Sequence, residues 1–309
     1  MSERRVHVVS ERGAGWLHRA GSLRSAANTP VDLSPARAGW QRTGLRVEAI
    51  AAGASISFDT GTSEMVVLPL SGAVDIEVDG ETFALRGRPS VFAATTDWAY
   101  LPIDADVRIA STLGAEIALP SAYAERRFPA VRIAADDVPI EIRGAGPATR
   151  QVNPFMAPGV FDGADRLMCV ELLTPGGNWS SYPPHRHDDS PECPVNNEEV
   201  YYFRIGRDGS TEYAEDGFGL HRTYTPDGAV DVTVDVHDGD VFCVHRGYHG
   251  PCVAAPGYPM YYLNVLAGAG GERSMAFCDD PTHHWQRDEW DGLPIDPRCP
   301  MVTADGVCR

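Results

Sequence analysis

Along most of the chain, β-branched and aromatic residues alternate with polar ones, while apolar residues at helical spacing are scarce. The alternating windows are 46–50, 55–58, 65–70, 73–78, 108–112 and 117–119, followed by 166–174, 199–205, 217–224, 230–236, 241–244 and 260–266. Short strands at this spacing, separated by Gly, Pro and Asp turns, predict an all-β sandwich or barrel with few short helices. Asp79-Gly80 between 73–78 and 81–85 is a two-residue hairpin signal.

The two sets of strands read as one plan used twice. Each half has a strand ending near a glycine (Gly72, Gly206), a hairpin, and a charged turn: Arg86-Gly-Arg88 in the first, Asp238-Gly-Asp240 in the second. The expected organisation is an N-terminal extension (1–35), a first barrel (36–145), a second barrel (146–285) and a C-terminal tail (286–309). The stretch 126–148 reads as the connector. The extension and tail show no clear period and are expected to wrap the barrels.

Composition narrows the function classes. A length of 309 residues fits about two domains. All 26 basic residues are arginine, which excludes chemistry that needs a lysine amine, such as a Schiff base or a P-loop. A net charge of −17 argues against nucleic acid and anionic membrane surfaces as partners. No apolar run approaches the ~18 residues of a membrane span, and the opening Met-Ser-Glu-Arg-Arg carries charge where a secretion signal needs an apolar stretch. Seven scattered cysteines without a C-x-x-C pair suit reduced thiols in the cytoplasm, acting as small buried hydrophobes. The expectation is a cytoplasmic enzyme or binding protein.

The chemistry concentrates in 181–203 and 238–249. In extended chain His185 and His187 share a face and can grip one ion. A turn-rich loop, 188–197, then leads into the strand 199–205, which can return a carboxylate beside the imidazoles. With Tyr201 and Phe203 as its inward partners at period two, Glu199 points in and Glu198 points out, a choice that a bulge would reverse. His249 arrives after a tight turn at Gly247. A lone histidine, or H-x-H alone, is more often an ordinary surface or core feature. Three imidazoles and one carboxylate together form a site for Zn, Mn, Fe(II) or Ni with positions left open for substrate.

This combination resembles the cupin superfamily, with His185, His187 and Glu199 matching its first motif and His249 its second. The loop between His187 and Glu199 is longer than the general motif, and His245 stands where proline is usual. The strings Tyr182-Pro-Pro-His-Arg-His-Asp188, Glu198-Glu-Val-Tyr-Tyr-Phe-Arg204, Arg246-Gly-Tyr-His249 and Asp280-Pro-Thr-His-His-Trp285 look like the 5-deoxyglucuronate isomerases of myo-inositol breakdown. In the N-terminal half the likeness continues in Leu68-Pro-Leu-Ser-Gly72 and Leu85-Arg-Gly-Arg-Pro-Ser-Val-Phe92. The resemblance implies two tandem cupin jelly-roll barrels with one divalent metal ion in the second. The first barrel is expected to hold none, since the histidines nearest it, His7 and His18, precede its strands. Its expected role is structural, lending an edge for domain or subunit packing, so a homo-oligomer stays an open expectation.

The implied reaction converts 5-deoxy-D-glucuronate to 2-deoxy-5-keto-D-gluconate through an enediol, with no hydride cofactor signalled. Without lysine, an arginine must hold the carboxylate of this small sugar acid; the candidates are Arg222, Arg246, Arg204 and Arg273, each of which could equally be a surface ion pair. For proton transfer, Tyr262, Asn264 and Tyr201 are the candidates. His221, His245, His283 and His284 are read first as structural, and Trp179, Trp285 and Trp290 as core or rim. Competing readings are a 5-keto-4-deoxyuronate isomerase, an iron(II) cupin oxygenase and a non-catalytic sugar-acid binder.

Overall fold

The strand Ser63–Val78 shows how the N-terminal half closes. It is 16 residues long and joins the two predicted windows 65–70 and 73–78. The bend between them falls at Gly72, whose φ is +78° and where a Cβ would lie 2.4 Å from the carbonyl oxygen of Gly114. Only glycine fits that close approach. Before the bend the strand pairs with Ala115–Tyr123 and Trp98–Leu101; beyond it the partners are Glu81–Arg88 and Asp106–Ser111. One strand thus serves both faces of a nine-stranded sheet curled on itself. The Asp79-Gly80 hairpin is present, with both φ values positive at 53° and 80°. The computed structural model describes residues 15–268 and 273–308, so His7 lies outside the described residues.

The C-terminal half pairs an eight-stranded sheet with a six-stranded one. In the larger sheet Val241–Val244, Cys193–Ile205, Met260–Gly268, Leu167–Thr174 and Arg150–Asn153 lie side by side. In the smaller sheet Asp231–Val236, Gly219–Tyr224, Tyr248–Ala254, His185–Arg186 and Cys278–Asp279 do so. The expected loop 188–197 is instead a hairpin: Asp188 pairs with Asn196 and Ser190 with Cys193, lengthening the predicted strand 199–205 to Cys193–Ile205. Consecutive polar residues (Asp-Asp-Ser, then Asn-Asn-Glu) hid this pairing from a hydrophobic pattern.

A second correction concerns the thiols. Cys193 and Cys278 form a disulfide, although 85 residues separate them. Pairing of Arg186 with Cys278 across the small sheet brings the two together. Of the others, Cys169, Cys243 and Cys252 are buried thiols, as expected.

The connector contributes to both halves. Val131–Ile133 pairs with Trp98–Leu101 of the first barrel, whereas Glu141–Arg143 pairs with Arg150–Asn153 of the second, ahead of the expected boundary at 146. At the chain's start, Leu17–His18 adds to Val241–Val244 while Val31–Leu33 adds to Thr43–Ile50, so the segment bridges the barrels. The described residues contain two α-helices, Pro35–Ala38 and Gln286–Glu289. No described helix is long and apolar enough to cross a membrane.

Three apolar cores result. One fills the first barrel (Val67, Ile76, Ile109, Ile117) and one the second (Val152, Phe203, Phe242, Tyr262). The third lies between them, where Val66 and Leu68 meet Val200, Tyr202 and Val265. Strand Cys193–Ile205 is therefore buried on both faces, like a strand of a covered sheet. Its outward Glu198 accepts backbone N–H bonds from Gln41, Arg42 and Thr43 at 2.7, 2.9 and 2.8 Å. Glu64 of the first barrel does the same for Asp165, Arg166 and Leu167 at 2.8, 2.6 and 2.6 Å. Each carboxylate caps the start of the other barrel's strand, Thr43–Ile50 or Leu167–Thr174. The buried pair Arg88–Glu171 also crosses this interface, with the Tyr261 hydroxyl donating to Glu171 at 2.9 Å.

Candidate metal centre and substrate cavity

Strand His185–Arg186 runs beside Tyr248–Ala254 with His185 directly opposite His249. That register places two imidazoles together, and His187 completes the group from the hairpin. The three rings offer nitrogen atoms within 4.8 Å of one another. Each Nδ1 faces a backbone carbonyl: Asn197 for His187 at 3.1 Å, Gly247 for His249 at 3.4 Å and Pro183 for His185 at 3.4 Å. Carbonyls accept only, so they favour the Nδ1–H tautomer and leave the Nε2 lone pairs available.

Glu199, inward on Cys193–Ile205 as its alternation predicts, brings Oε2 to 2.9 Å from His187 Nε2 and 3.1 Å from His249 Nε2. Its other oxygen accepts from Asn264 Nδ2 at 2.8 Å. Burial opposes ionisation of Glu199, but His249 and His187 outweigh it and hold the carboxyl well below its usual range. His185 is held well below the usual imidazole range by burial and by its two imidazole neighbours. At His187 burial is overcome by Glu199, which raises the pKa. His249 Nε2 is buried, and its contact with Glu199 Oε2 at 3.1 Å lacks hydrogen-bond geometry. A buried orphan nitrogen is costly unless something fills its lone pair, and a divalent cation fits this donor set.

The site opens into a cavity of about 700 Å³ whose wall includes Ser181, His185, His187, Glu199 and Asn264. Tyr201 and Tyr262 lie beneath that wall, fully buried, and burial raises both phenols far above their ordinary range. Their hydroxyls reach the cavity through Ser181, whose Oγ is 2.9 Å from the Tyr262 oxygen and 3.3 Å from that of Tyr201.

The four arginines expected to hold a carboxylate fare differently. Arg222 is exposed, 3.4 Å from Asp231, because its neighbour His221 takes the inward position on the strand. Arg246 is exposed at the turn before Gly247. Arg204 is buried between the barrels, bonded to Asp238 and Glu116 at 2.9 and 2.6 Å. Arg273 does line the cavity, but its Nε, Nη1 and Nη2 donate to the carbonyls of Leu167, Phe161 and Met156. Sequence reasoning missed Arg150, a buried cavity residue on a strand, Arg-Gln-Val-Asn, with no alternation to announce it.

Three of the histidines read first as structural are held by neighbouring side chains. His221 bonds Cys252 and Thr223 at 3.0 Å each, and His245 packs against Trp16 and Trp40. His284 pairs with Asp279 at 2.7 Å. Trp179 and Trp285 are exposed and outside the cavity wall.

Two curled β-barrels in tandem, one with three histidines and a carboxylate converging inside it, define a bicupin with a candidate metal centre in its second half. Structural comparison agrees: an oxalate decarboxylase from Lactobacillus farciminis shares the fold, with TM-score 0.61 over 90% of this chain and 96% of its own, at 11% identity. The chain belongs to the KduI/IolB family, whose pattern matches residues 16–286. An IolB-like protein from Salmonella typhimurium superposes with TM-score 0.79 at 30% identity, covering 88% of this chain and 99% of that one. The 5-deoxy-glucuronate isomerase of Geobacillus kaustophilus is 36% identical over 82% of this chain and 89% of its own. That of Bacillus velezensis is 32% identical over 86% and 96%.

Proposed function

We propose that this chain is a metal-dependent aldose–ketose isomerase that converts 5-deoxy-D-glucuronate to 5-dehydro-2-deoxy-D-gluconate in myo-inositol catabolism. The observation that carries the metal dependence is the convergence of three imidazole nitrogens, within 4.8 Å of one another, with Glu199 Oε2 beside two of them. The relatives named 5-deoxy-glucuronate isomerase, aligned over most of their own length, support the substrate.

His185, His187, His249 and Glu199 would hold one divalent cation, of zinc, manganese, iron(II) or nickel, in the C-terminal barrel. When bound, it supplies Lewis-acid stabilisation of negative charge on the substrate's carbonyl and neighbouring hydroxyl oxygens, worth several kcal/mol. Isomerisation moves a proton from the hydroxyl-bearing carbon to the aldehyde carbon, and a second from that hydroxyl to the former carbonyl oxygen. Asn264 anchors Oε1 of Glu199 and so aims Oε2 at the imidazoles. Tyr201 and Tyr262, kept protonated by burial, serve as donors rather than bases. Ser181 relays their hydrogen bonds to oxygen atoms in the cavity. The apolar wall residues Val152, Val170, Leu172 and Leu266 limit water around a reactive enediol.

The test is turnover of 5-deoxy-D-glucuronate by protein with measured metal content, followed by NMR, with 5-keto-4-deoxyuronate as the comparison substrate. Ketone formation without oxygen, lost together with bound metal in His187→Ala, is the expected result. Metal-loaded protein that makes no ketone overturns the reading.

A further inference from the structure

We infer that Arg150 is the receptor for the substrate's carboxylate, the residue that makes this cavity specific for a sugar acid over a neutral sugar. The inference rests on the isomerase reading and names the contact that selects its substrate.

Four arginines line the cavity: Arg143, Arg150, Arg273 and Arg287. Three are engaged elsewhere. Arg143 pairs with Glu141 at 2.7 Å, Arg287 grips both oxygens of Asp279 at 2.5 and 2.7 Å, and Arg273 is tied to three carbonyls. Arg150 is different. It is 7% exposed and forms no ion pair among the described residues. Its one hydrogen bond runs from Nη1 to the Ala148 carbonyl at 3.1 Å. Nε is buried without a partner, and Nη2 makes no hydrogen bond to any described residue.

Nε–H and Nη2–H form the side-on edge with which a guanidinium takes both oxygens of a carboxylate. A buried cation with that edge unmatched is costly, and a structure keeps one where a ligand anion completes it. Trp290 stacks near the guanidinium, 5.7 Å from its ring centre, and limits its movement. Gly144 lies against the same group: its φ is +73°, and a Cβ there would sit 2.2 Å from the Ala148 carbonyl oxygen and 2.7 Å from Arg150 Nη1. The turn thus keeps the Ala148 carbonyl, the one acceptor Arg150 has among the described residues, close beside it. Burial, reinforced by Arg143 and Arg287, lowers its pKa to about 10, so the group stays charged at neutral pH.

The experiment compares kcat/KM for 5-deoxy-D-glucuronate and for 5-deoxy-D-glucose, which lacks the carboxylate, in wild type, Arg150→Gln and Arg150→Lys, each with metal content and thermal midpoint recorded. Wild type should prefer the acid by at least roughly 1000-fold, as a site with buried polar groups rejects the analogue that leaves them unpaired. Arg150→Gln should raise KM for the acid about 100-fold or more, with bound metal retained, and collapse the preference. Arg150→Lys, folded and still cationic, should fall between. No turnover of the acid by wild type removes the isomerase reading and this inference with it. Wild-type turnover with the preference intact in a folded Arg150→Gln or Arg150→Lys variant overturns the inference alone.

Discussion

Asn264 is the clearest small lever on the centre, because it hydrogen-bonds Glu199 and none of the histidines. Its Nδ2–H holds the oxygen that would otherwise be free to swing. Asn264→Leu should therefore weaken metal binding by about 10–100-fold, the usual cost of losing a supporting hydrogen bond to a ligand, while leaving the unfolding free energy of metal-free protein within about 1 kcal/mol of wild type. Competition with a chelator measures the first quantity and denaturant titration the second. His221 makes a different prediction. Burial lowers its pKa from 6.5 to about 3, so the folded state keeps it neutral where the unfolded chain protonates it. Above pH 6.5 neither state is charged and no penalty arises. As pH falls from 6.5 towards 3 the unfolded state gains the proton, and stability drops by up to about 1.4 kcal/mol per pH unit. Urea midpoints of wild type and His221→Gln across this range should converge as the pH is lowered. At this scale the sequence was informative where periodicity governs: alternation puts His185 and His187 on one face and turns Glu199 inward, and their side chains do converge. It was uninformative for arginines, since whether Arg222 or Arg150 faces the cavity depends on which side of a strand each occupies and on which acids lie nearby.

Among the elements, the hairpin Asp188–Ser190 with the start of Cys193–Ile205 carries His187 on one arm and leads to Glu199 on the other. The Cys193–Cys278 bond fastens it to the strand beside His185. Reducing that bond, or replacing it in Cys193→Ser, should cost about 2–4 kcal/mol of stability. Dithiothreitol should lower the denaturation midpoint of wild type and leave that of Cys193→Ser unchanged. A wild-type midpoint indifferent to reductant would show that the thiols are not joined in solution. Most strands with an alternating pattern were legible, and so was the Asp79-Gly80 turn. The pieces that escaped are polar or fully covered: the hairpin arm, Arg150–Asn153, and Tyr248–Ala254 with its Gly-Pro interruption. Such strands are specified by their neighbours rather than by their own periodicity.

For the molecule as a whole, the interface between the barrels is a third core rather than a loose contact. Glu171→Gln keeps the shape of the side chain and an acceptor for Tyr261 but leaves the Arg88 charge uncompensated where water does not reach. The expected cost is about 3–5 kcal/mol, read as a fall in the global unfolding midpoint. If the barrels were energetically independent, only one of two transitions would move. The repeated plan of the halves is visible in the spacing of turns, but the way the halves join is not. Long-range contacts such as those of Glu64 and Glu198 leave no local trace in a single sequence.

Those two carboxylates also tie the half without histidines, residues 36–145, to the half that carries the candidate centre. Each barrel borrows from its sibling the anion that finishes its opening strand. Removing either anion would strip three backbone N–H groups of the opposite barrel of their acceptor. The two halves thereby lean on one another at the first rung of each sheet.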